Sequence, residues 1–101
     1  MNPLGNHGQS FKVNLSGVVA ERLRQIQREA TLQGRGEETI RAIRQIADRL
    51  IKAPFDLGEP LYRLPSLRLQ IRSAAIGPLG VFFGVSEDKP LVFIKGFRLL
   101  S

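Results

Sequence analysis

The sequence of 101 residues contains no cysteine and only one histidine, His7. Without cysteine the chain cannot form disulfides, supply a thiolate nucleophile or build a zinc site on sulfur. It also lacks an apolar run of the roughly 18 residues that a membrane span needs, and residues 1–10 lack the basic and apolar regions of a signal peptide. We therefore expect an intracellular, cytoplasmic protein without a membrane-spanning segment.

The usual groups for acid–base and metal chemistry are scarce. His7 lies in a polar arm, where a histidine lacks the fixed geometry that proton transfer requires. Most acidic residues fall beside arginines on predicted helices and should form exposed ion pairs, whereas Glu87 and Asp88 resemble turn residues. No spacing suggests paired catalytic carboxylates or a metal site, and no serine has an evident activating base. We expect neither a metal nor a cofactor.

Positive charge dominates the composition. Fifteen lysines and arginines stand against nine aspartates and glutamates, which gives a formal net charge of +6. This charge favours an anionic partner, most often nucleic acid and sometimes an acidic protein or a membrane surface. A chain of this length has room for one core only, so its function must lie on the fold itself.

The first half of the chain predicts one strand followed by two helices. Residues 11–15 alternate apolar and polar side chains, as in a strand with one buried face. Ser16 then caps an amphipathic helix over about residues 17–33, and a second helix runs from Glu37 until Pro54 stops it. The side chains expected in the core are Phe11, Val13 and Leu15 of the strand, Val19, Leu23, Ile26 and Ala30 of the first helix, and Ile40, Ile43, Ala47 and Leu50 of the second, broadened by Ile46 and Ile51.

The last third predicts three consecutive strands, over residues 67–72, 78–86 and 91–100. Glu87-Asp88-Lys89-Pro90 forms a short turn, so the second and third strands should pair as an antiparallel hairpin. The first of the three should place Leu67, Leu69 and Ile71 on a buried face and Arg68, Gln70 and Arg72 on a wet, basic face.

Helices gathered before a run of strands indicate an α+β domain. We predict the order β-α-α-β-β-β over residues 11–101, with an antiparallel sheet packed against a helical hairpin. Residues 1–10 form a flexible N-terminal arm in this prediction, and residues 55–65 are a connector between the second helix and the sheet.

The basic residues of the sheet are the first candidates for a functional site. Arginine can hold a phosphate through two hydrogen bonds and can stabilise the charge that develops during phosphodiester cleavage. The alternative is that these side chains only keep an exposed face wet. The set that we predict to bind nucleic acid is Lys12, Arg63, Arg68, Arg72, Lys95 and Arg98.

Two further features admit more than one interpretation. The segment Gly34-Arg35-Gly36 invites comparison with the GxxG loop of KH domains, but its glycines are two apart instead of three, so a helix stop is favoured. Phe82 should lie opposite the buried Phe83 on its strand, which suits either stacking on a base or contact with a partner chain.

Several segments follow a more specific pattern. They are Phe11-Lys12-Val13-Asn14-Leu15-Ser16, Asp48-Arg49-Leu50-Ile51-Lys52-Ala53-Pro54, Leu57-Gly58-Glu59-Pro60-Leu61 with Arg63-Leu64, Gly77 to Val85, and Leu91-Val92-Phe93-Ile94. Together with the order of elements, they resemble the RelE/ParE family of bacterial toxins, which belong to toxin–antitoxin pairs of the plasmid stabilisation type. The resemblance covers nearly everything after Ser10 and implies a RelE-like fold.

The resemblance also implies a site. Family members that cleave messenger RNA on the ribosome use basic side chains on the sheet, commonly helped by a tyrosine or histidine near the C-terminus. By position, Arg72 or Arg68 matches the family's basic residue on the first strand of the three, and Gly96-Phe97-Arg98 resembles its terminal Gly-His-Arg. Arg72 and Arg98 are accordingly the expected catalytic residues.

Three departures from the family pattern keep the function open. Phe97 replaces the histidine, Pro78-Leu79 stand where many members have an arginine, and no tyrosine follows Arg98. One hypothesis is therefore a ribosome-dependent endoribonuclease, and the alternative is a non-catalytic binding protein on the same fold, such as a gyrase-type inhibitor or an orphan domain. General nucleic-acid binding is a third, which predicts steep weakening with salt.

The expected partners follow from the same resemblance. It implies a cognate antitoxin that lays a helix or strand over the basic, partly apolar face, and an acidic antitoxin would complement the charge of +6. The other expected partners are RNA and the ribosome or, in the alternative, gyrase, without a membrane partner. A homo-oligomer is left open.

Overall fold

The computed structural model describes residues 10–101, which fold into an α+β arrangement of two helices and a five-stranded sheet. In chain order the elements are β1 (Lys12–Leu15), α1 (Gly17–Leu32), α2 (Gly36–Lys52), β2 (Glu59–Leu64), β3 (Leu69–Ile76), β4 (Leu79–Ser86) and β5 (Leu91–Leu99). Single 3-10 turns at Pro54–Asp56 and Pro65–Leu67 flank β2. The predicted arm, with His7, lies outside the described residues except for Ser10.

The sheet is mixed, with the strand order β1-β5-β4-β3-β2. Strand β1 pairs in parallel with β5, whereas the other neighbours are antiparallel, so the prediction of a purely antiparallel sheet is wrong. The predicted connector is also wrong in part, because it contains β2. Pro60 suggested a loop, but it lies at an irregularity of an edge strand, a position where a proline is tolerated.

The helix boundaries confirm the predicted start and stop signals. The Ser16 hydroxyl accepts a hydrogen bond from the Val19 amide at 3.2 Å, which caps α1. Gly34 has a φ of +74°, the left-handed conformation with which helices commonly end, and α2 ends at Lys52 before Pro54. Neither described helix is long and apolar enough to span a bilayer.

The core lies between the helical hairpin and one face of the sheet. Leu79, Val81, Phe83 and Val85 alternate along β4 and are almost wholly buried, as predicted for Phe83. They pack with Ile26 of α1 and with α2 residues that include Ile46 and Leu50. We call this the covered face of the sheet and the opposite side the open face.

The predicted apolar stripe of α2 is confirmed for Ile46 and Leu50, which are buried, and for Ile43, which packs against the core. It is wrong for Ile40, Ala47 and Ile51, which are exposed. Ile40 and Ile51 are 43% and 39% exposed, whereas the residues buried on α2 are Thr39, Ala42, Ile46 and Leu50. Thr39 tolerates burial because its hydroxyl donates to the Arg35 carbonyl at 2.9 Å. Leu15, also expected in the core, is exposed at the end of β1.

The two faces of β3 are exchanged relative to the prediction. Gln70 pairs with Val85 and Arg72 with Phe83, so both point to the covered face, while Leu69 and Ile71 lie on the open face. The predicted burial of Ile71 is nevertheless confirmed, because its side chain is only 2% exposed. Leu67 and Arg68 precede the strand and are exposed. The expected wet position of Arg72 is therefore wrong, and this side chain is only 6% exposed.

Candidate functional site

The open face combines exposed aromatic rings with positive charge. Tyr62 of β2, Phe82 of β4 and Phe93 of β5 are 53%, 42% and 39% exposed. Lys95 and Arg98 of β5 are exposed as well, and neither forms an ion pair within residues 10–101. The predicted exposure of Phe82 is confirmed. Three exposed rings therefore share this face with two cations that have no acidic partner among residues 10–101.

A groove of about 380 Å³ crosses the open face beside Arg98, and we call it the Arg98 groove. Its floor consists of small residues on two paired strands, Ser73 and Ala75 of β3 and Gly80 of β4. The larger side chains that line it are Glu59, Phe82, Arg98 and Leu100. A guanidinium and a carboxylate thus share a groove whose floor leaves room for a ligand.

The C-terminal residues form one wall of the Arg98 groove. The Leu100 amide donates to the Pro78 carbonyl at 2.7 Å, and Arg35 donates to the Leu100 carbonyl at 2.8 Å. A side chain at Gly80 would stand 3.5 Å from the Leu100 side chain, so Leu100 lies close above the glycine. Arg35, in the turn between the helices, therefore helps to position this wall.

A second hollow, of about 240 Å³, lies beside the groove and is called the Tyr62 pocket. Leu61, Tyr62, Ile71, Phe82 and Lys95 line it together with Gly96. Phe82 borders both hollows, so a ligand in one would contact the same ring as a ligand in the other. Aromatic rings beside a cation suit the stacking of nucleic-acid bases and equally the apolar side chains of a protein.

An irregularity in β5 places Lys95 at this pocket. Phe82 pairs with Gly96 and Phe83 with Ile94, which leaves Lys95 as an extra residue without a partner on β4. Such β-bulges bend a strand and redirect a side chain. The bulge accounts for Lys95 and Arg98 both reaching the open face although three positions separate them.

Arg72 is not part of this face. Its Nε donates to the Leu57 carbonyl and its Nη2 to the Gly58 carbonyl, each at 3.1 Å, and its Nη1 donates to Gln70. The guanidinium can be buried because three acceptors replace its water. Gly58 lies directly on β3, since a side chain there would come within 1.9 Å of the Ser73 carbonyl oxygen. Arg72 therefore holds Leu57 and Gly58, which precede β2, against β3 through hydrogen bonds.

Three other predicted residues lie near the turn between β4 and β5. Arg63 donates to both carboxylate oxygens of Glu87, at 2.6 and 2.7 Å, and Arg68 lies 3.8 Å from Asp88. Lys12 pairs in register with Leu91 at the start of β5. The six predicted basic residues are thus divided, and only Lys95 and Arg98 line the two hollows of the open face.

The hydrogen bonds between Arg63 and Glu87 perturb both side chains. They hold the pKa of the Glu87 carboxyl below its ordinary value and raise the pKa of the Arg63 guanidinium. Both groups are thereby stabilised in their charged forms. Arg63 is occupied by this carboxylate, whereas Lys95 and Arg98 line the two hollows of the open face without an acidic partner among residues 10–101.

The sequence prediction missed Glu59 and Tyr62 as site residues. Both lie in the segment that was expected to be a connector, and β2 carries them onto the sheet beside β3. The aromatic and aliphatic residues at 61–64 were a signal for a strand, but Gly58 and Pro60 favoured a loop.

The described residues contain no group of three or more His, Cys, Asp or Glu that could hold a metal ion. The candidate site is accordingly built from Arg98, Lys95, Glu59 and the aromatic rings of the open face.

When the chain is compared with models of protein families and with curated proteins, neither search finds a match.

Proposed function

We propose that this chain is the toxin of a toxin–antitoxin pair and that it cleaves RNA in the Arg98 groove. The observation that carries the proposal is the placement of Arg98 and Glu59 on a groove of about 380 Å³ with a small-residue floor and Phe82 at its border. At the level of the fold, support comes from the helical hairpin on one face of the sheet, which the sequence resemblance implies.

The residues of the groove suggest a division of labour in phosphodiester cleavage. Glu59 accepts the proton of a ribose 2′-hydroxyl while the 2′-oxygen attacks the adjacent phosphorus. The bond from phosphorus to the 5′-oxygen breaks, and that oxygen takes a proton from water. Arg98 binds the phosphate oxygens as their negative charge grows, and Phe82 stacks on a neighbouring base. The products are a 2′,3′-cyclic phosphate and a 5′-hydroxyl.

This assignment supplies an acid–base group that the sequence prediction did not find. Phe97 stands where the family has a histidine, and the Arg72 guanidinium is occupied by main-chain carbonyls on the covered face. In the proposal Arg98 retains the catalytic role expected for it, Lys95 binds phosphate beside it, and Arg72 acts only through the position of Gly58 and Glu59.

The test is induction of the chain in a bacterial host, with pulse-labelling of protein and DNA synthesis. We expect arrest of translation first. Arg98→Ala and Glu59→Gln should each lower the rate of RNA cleavage about 100-fold or more, since each removes one group that acts in the transition state. Arg44→Ala, which removes an exposed arginine of α2, is the matched control and should leave cleavage unchanged.

Two results would contradict the proposal. The first is full RNA cleavage by the folded Glu59→Gln and Arg98→Ala variants. The second is arrest of DNA replication while translation continues, which would favour a gyrase-type inhibitor.

A non-catalytic binding protein is the second candidate function. The observation that favours it is the Tyr62 pocket, where exposed Leu61, Tyr62 and Phe82 form an apolar surface of the kind that partner proteins cover. In that case replacing Tyr62 and Phe82 by alanine should abolish toxicity, while Glu59→Gln should not affect it. In both cases we expect an acidic antitoxin to cover the open face, because it would complement the net charge of +6.

A further inference from the structure

The outer face of α1, which points away from the sheet, carries the two most exposed large apolar residues of the described chain. Val18 is 81% exposed and Leu32 is 88% exposed. They lie seven residues before and seven residues after Gln25, so all three fall on one side of the helix. Exposed apolar residues scattered singly are common, and these two lie about 21 Å apart along the helix axis. They indicate a contact surface only together with the charged residues between them.

The charged residues between them follow the same symmetry. Glu21 and Arg28 lie on one flank of the stripe, while Arg22 and Glu29 lie on the other. Within the chain these residues already pair, because Arg28 is 3.4 Å from Glu21 and Arg22 is 3.4 Å from Glu29. Each flank therefore presents one acid and one base beside the stripe, at opposite ends of it. Farther round the helix, the Glu21 flank also carries Arg24, which lies 3.0 Å from Glu21.

This pattern is complementary to itself when one copy is reversed. In an antiparallel pair related by a two-fold axis at Gln25, each flank meets the same flank of the second copy, running in the opposite direction. Glu21 lies about 6 Å along the helix axis from Gln25 and Arg28 about 4.5 Å on the other side. Glu21 of one copy then lies nearly level with Arg28 of the other, and Arg22 with Glu29.

In this antiparallel pair, the apolar residues Val18 and Leu32 each face a hollow on the other copy. A shallow hollow of about 530 Å³ adjoins Val18, and another of about 460 Å³ adjoins Leu32 and Ile40. In the antiparallel arrangement Leu32 of the second copy faces the hollow beside Val18, and Val18 of the second copy faces the hollow beside Leu32. Apolar residues at both ends and matched charges between them specify both the partner and its direction.

We propose that α1 is the interface of an antiparallel homodimer centred on Gln25. The proposal concerns the helical side of the molecule and is independent of the activity proposed for the open face. One helix face is smaller than the roughly 800 Å² per partner of a standard interface, so we expect a weak dimer with a dissociation constant on the order of 1 μM to 1 mM.

Sedimentation of the purified full chain over a wide concentration range tests the interface. Wild type should shift from monomer to dimer, whereas Glu21→Arg alone and Arg28→Glu alone should each weaken dimerisation at least about tenfold. An equimolar mixture of these two variants should form a heterodimer, because the arginine introduced by the first substitution then faces the glutamate introduced by the second. The unchanged Arg28 of the first variant likewise faces the unchanged Glu21 of the second. A role limited to the stability of the monomer would not restore association on mixing.

Crosslinking tests the direction. The chain has no cysteine, so Gln25→Cys introduces a single thiol at the two-fold axis. Mild oxidation should join two copies much faster than in the matched control Gln45→Cys, an exposed glutamine of α2. A chain that sediments as a monomer at every concentration, or equal crosslinking at positions 25 and 45, would overturn the proposal and leave α1 for a different kind of partner.

Discussion

The covered and open faces of the sheet use the same strands for different purposes. On β4, Val81 and Phe83 are buried against the helices, whereas Phe82 between them is 42% exposed and borders both hollows of the open face. The difference arises from the alternation of a strand, which sends neighbouring residues to opposite sides. One strand therefore supplies the centre of the core and the centre of the candidate site.

The two arginines that were expected to be catalytic also lie on opposite faces of the sheet. Arg72 is 6% exposed and donates to two main-chain carbonyls, while Arg98 is exposed and lines a groove. An arginine on a basic strand is therefore not necessarily a ligand-binding residue. Its burial and the hydrogen-bond acceptors around it determine whether it stabilises the fold or is available to a ligand. Arg72 contributes to the fold, and Arg98 is the one available to a ligand.

The sharpest test of the comparison is a pair of adjacent alanine substitutions. Phe83→Ala should destabilise the protein by about 3–5 kcal/mol, because it leaves a cavity in the core. Phe82→Ala should change stability by less than about 1 kcal/mol, since its ring is exposed, yet it should weaken ligand binding to the open face. Chemical denaturation of both variants measures the first effect.

Equal destabilisation by the two substitutions would contradict the assignment of faces. Phe83→Leu provides a control for cavity size, because it keeps more of the volume and should cost less than Phe83→Ala. An intermediate loss for this variant would show that packing, and not the aromatic character of the ring, accounts for the effect.

Substitution of the two arginines by methionine should give a smaller difference in the free energy of unfolding. Arg72→Met keeps the aliphatic part of the side chain but removes the donors to the Leu57 and Gly58 carbonyls, so we expect a loss of about 2–3 kcal/mol. Arg98→Met should change the free energy of unfolding by less than about 0.5 kcal/mol. The measurement is again denaturation, and a stability loss for Arg98→Met equal to that for Arg72→Met would contradict the distinction.

The sequence predicted the type of most helices and strands better than it predicted which face of each is buried. The buried position of Phe83 and the opposite position of Phe82 were predicted correctly, because β4 has one strongly apolar face. On α2, isoleucines occupy two adjacent faces, so helical spacing alone did not reveal that Thr39 and Ala42 are buried and Ile40 is not. On β3 the alternation was right, but the apolar side belongs to the open face and the side with Arg72 is covered.

The candidate site was harder to predict because it depends on distances between strands. Sequence spacing identified six basic residues, but Arg63 and Arg68 lie beside acids of the β4–β5 turn, and Arg72 is on the covered face. Glu59 and Tyr62 entered the site only through the pairing of β2 with β3. Gly58 and Pro60 favoured a loop over a strand in this segment. In addition, a local sequence pattern does not reveal which strands pair with each other.

The smallest expected effect concerns the Arg63–Glu87 ion pair, which joins β2 to the turn after β4 and belongs to neither hollow of the open face. Hydrogen bonds from Arg63 hold the pKa of Glu87 below its ordinary value of 4.5 in the folded state. The stability that this pair contributes is therefore present above the unfolded pKa and is lost as the pH falls through the folded pKa. Wild type should melt slightly higher than Glu87→Gln at neutral pH, and the gap should close in acid. A gap for Glu87→Gln that does not narrow as the pH falls would show that the substitution acts through packing and not through the charge of this pair.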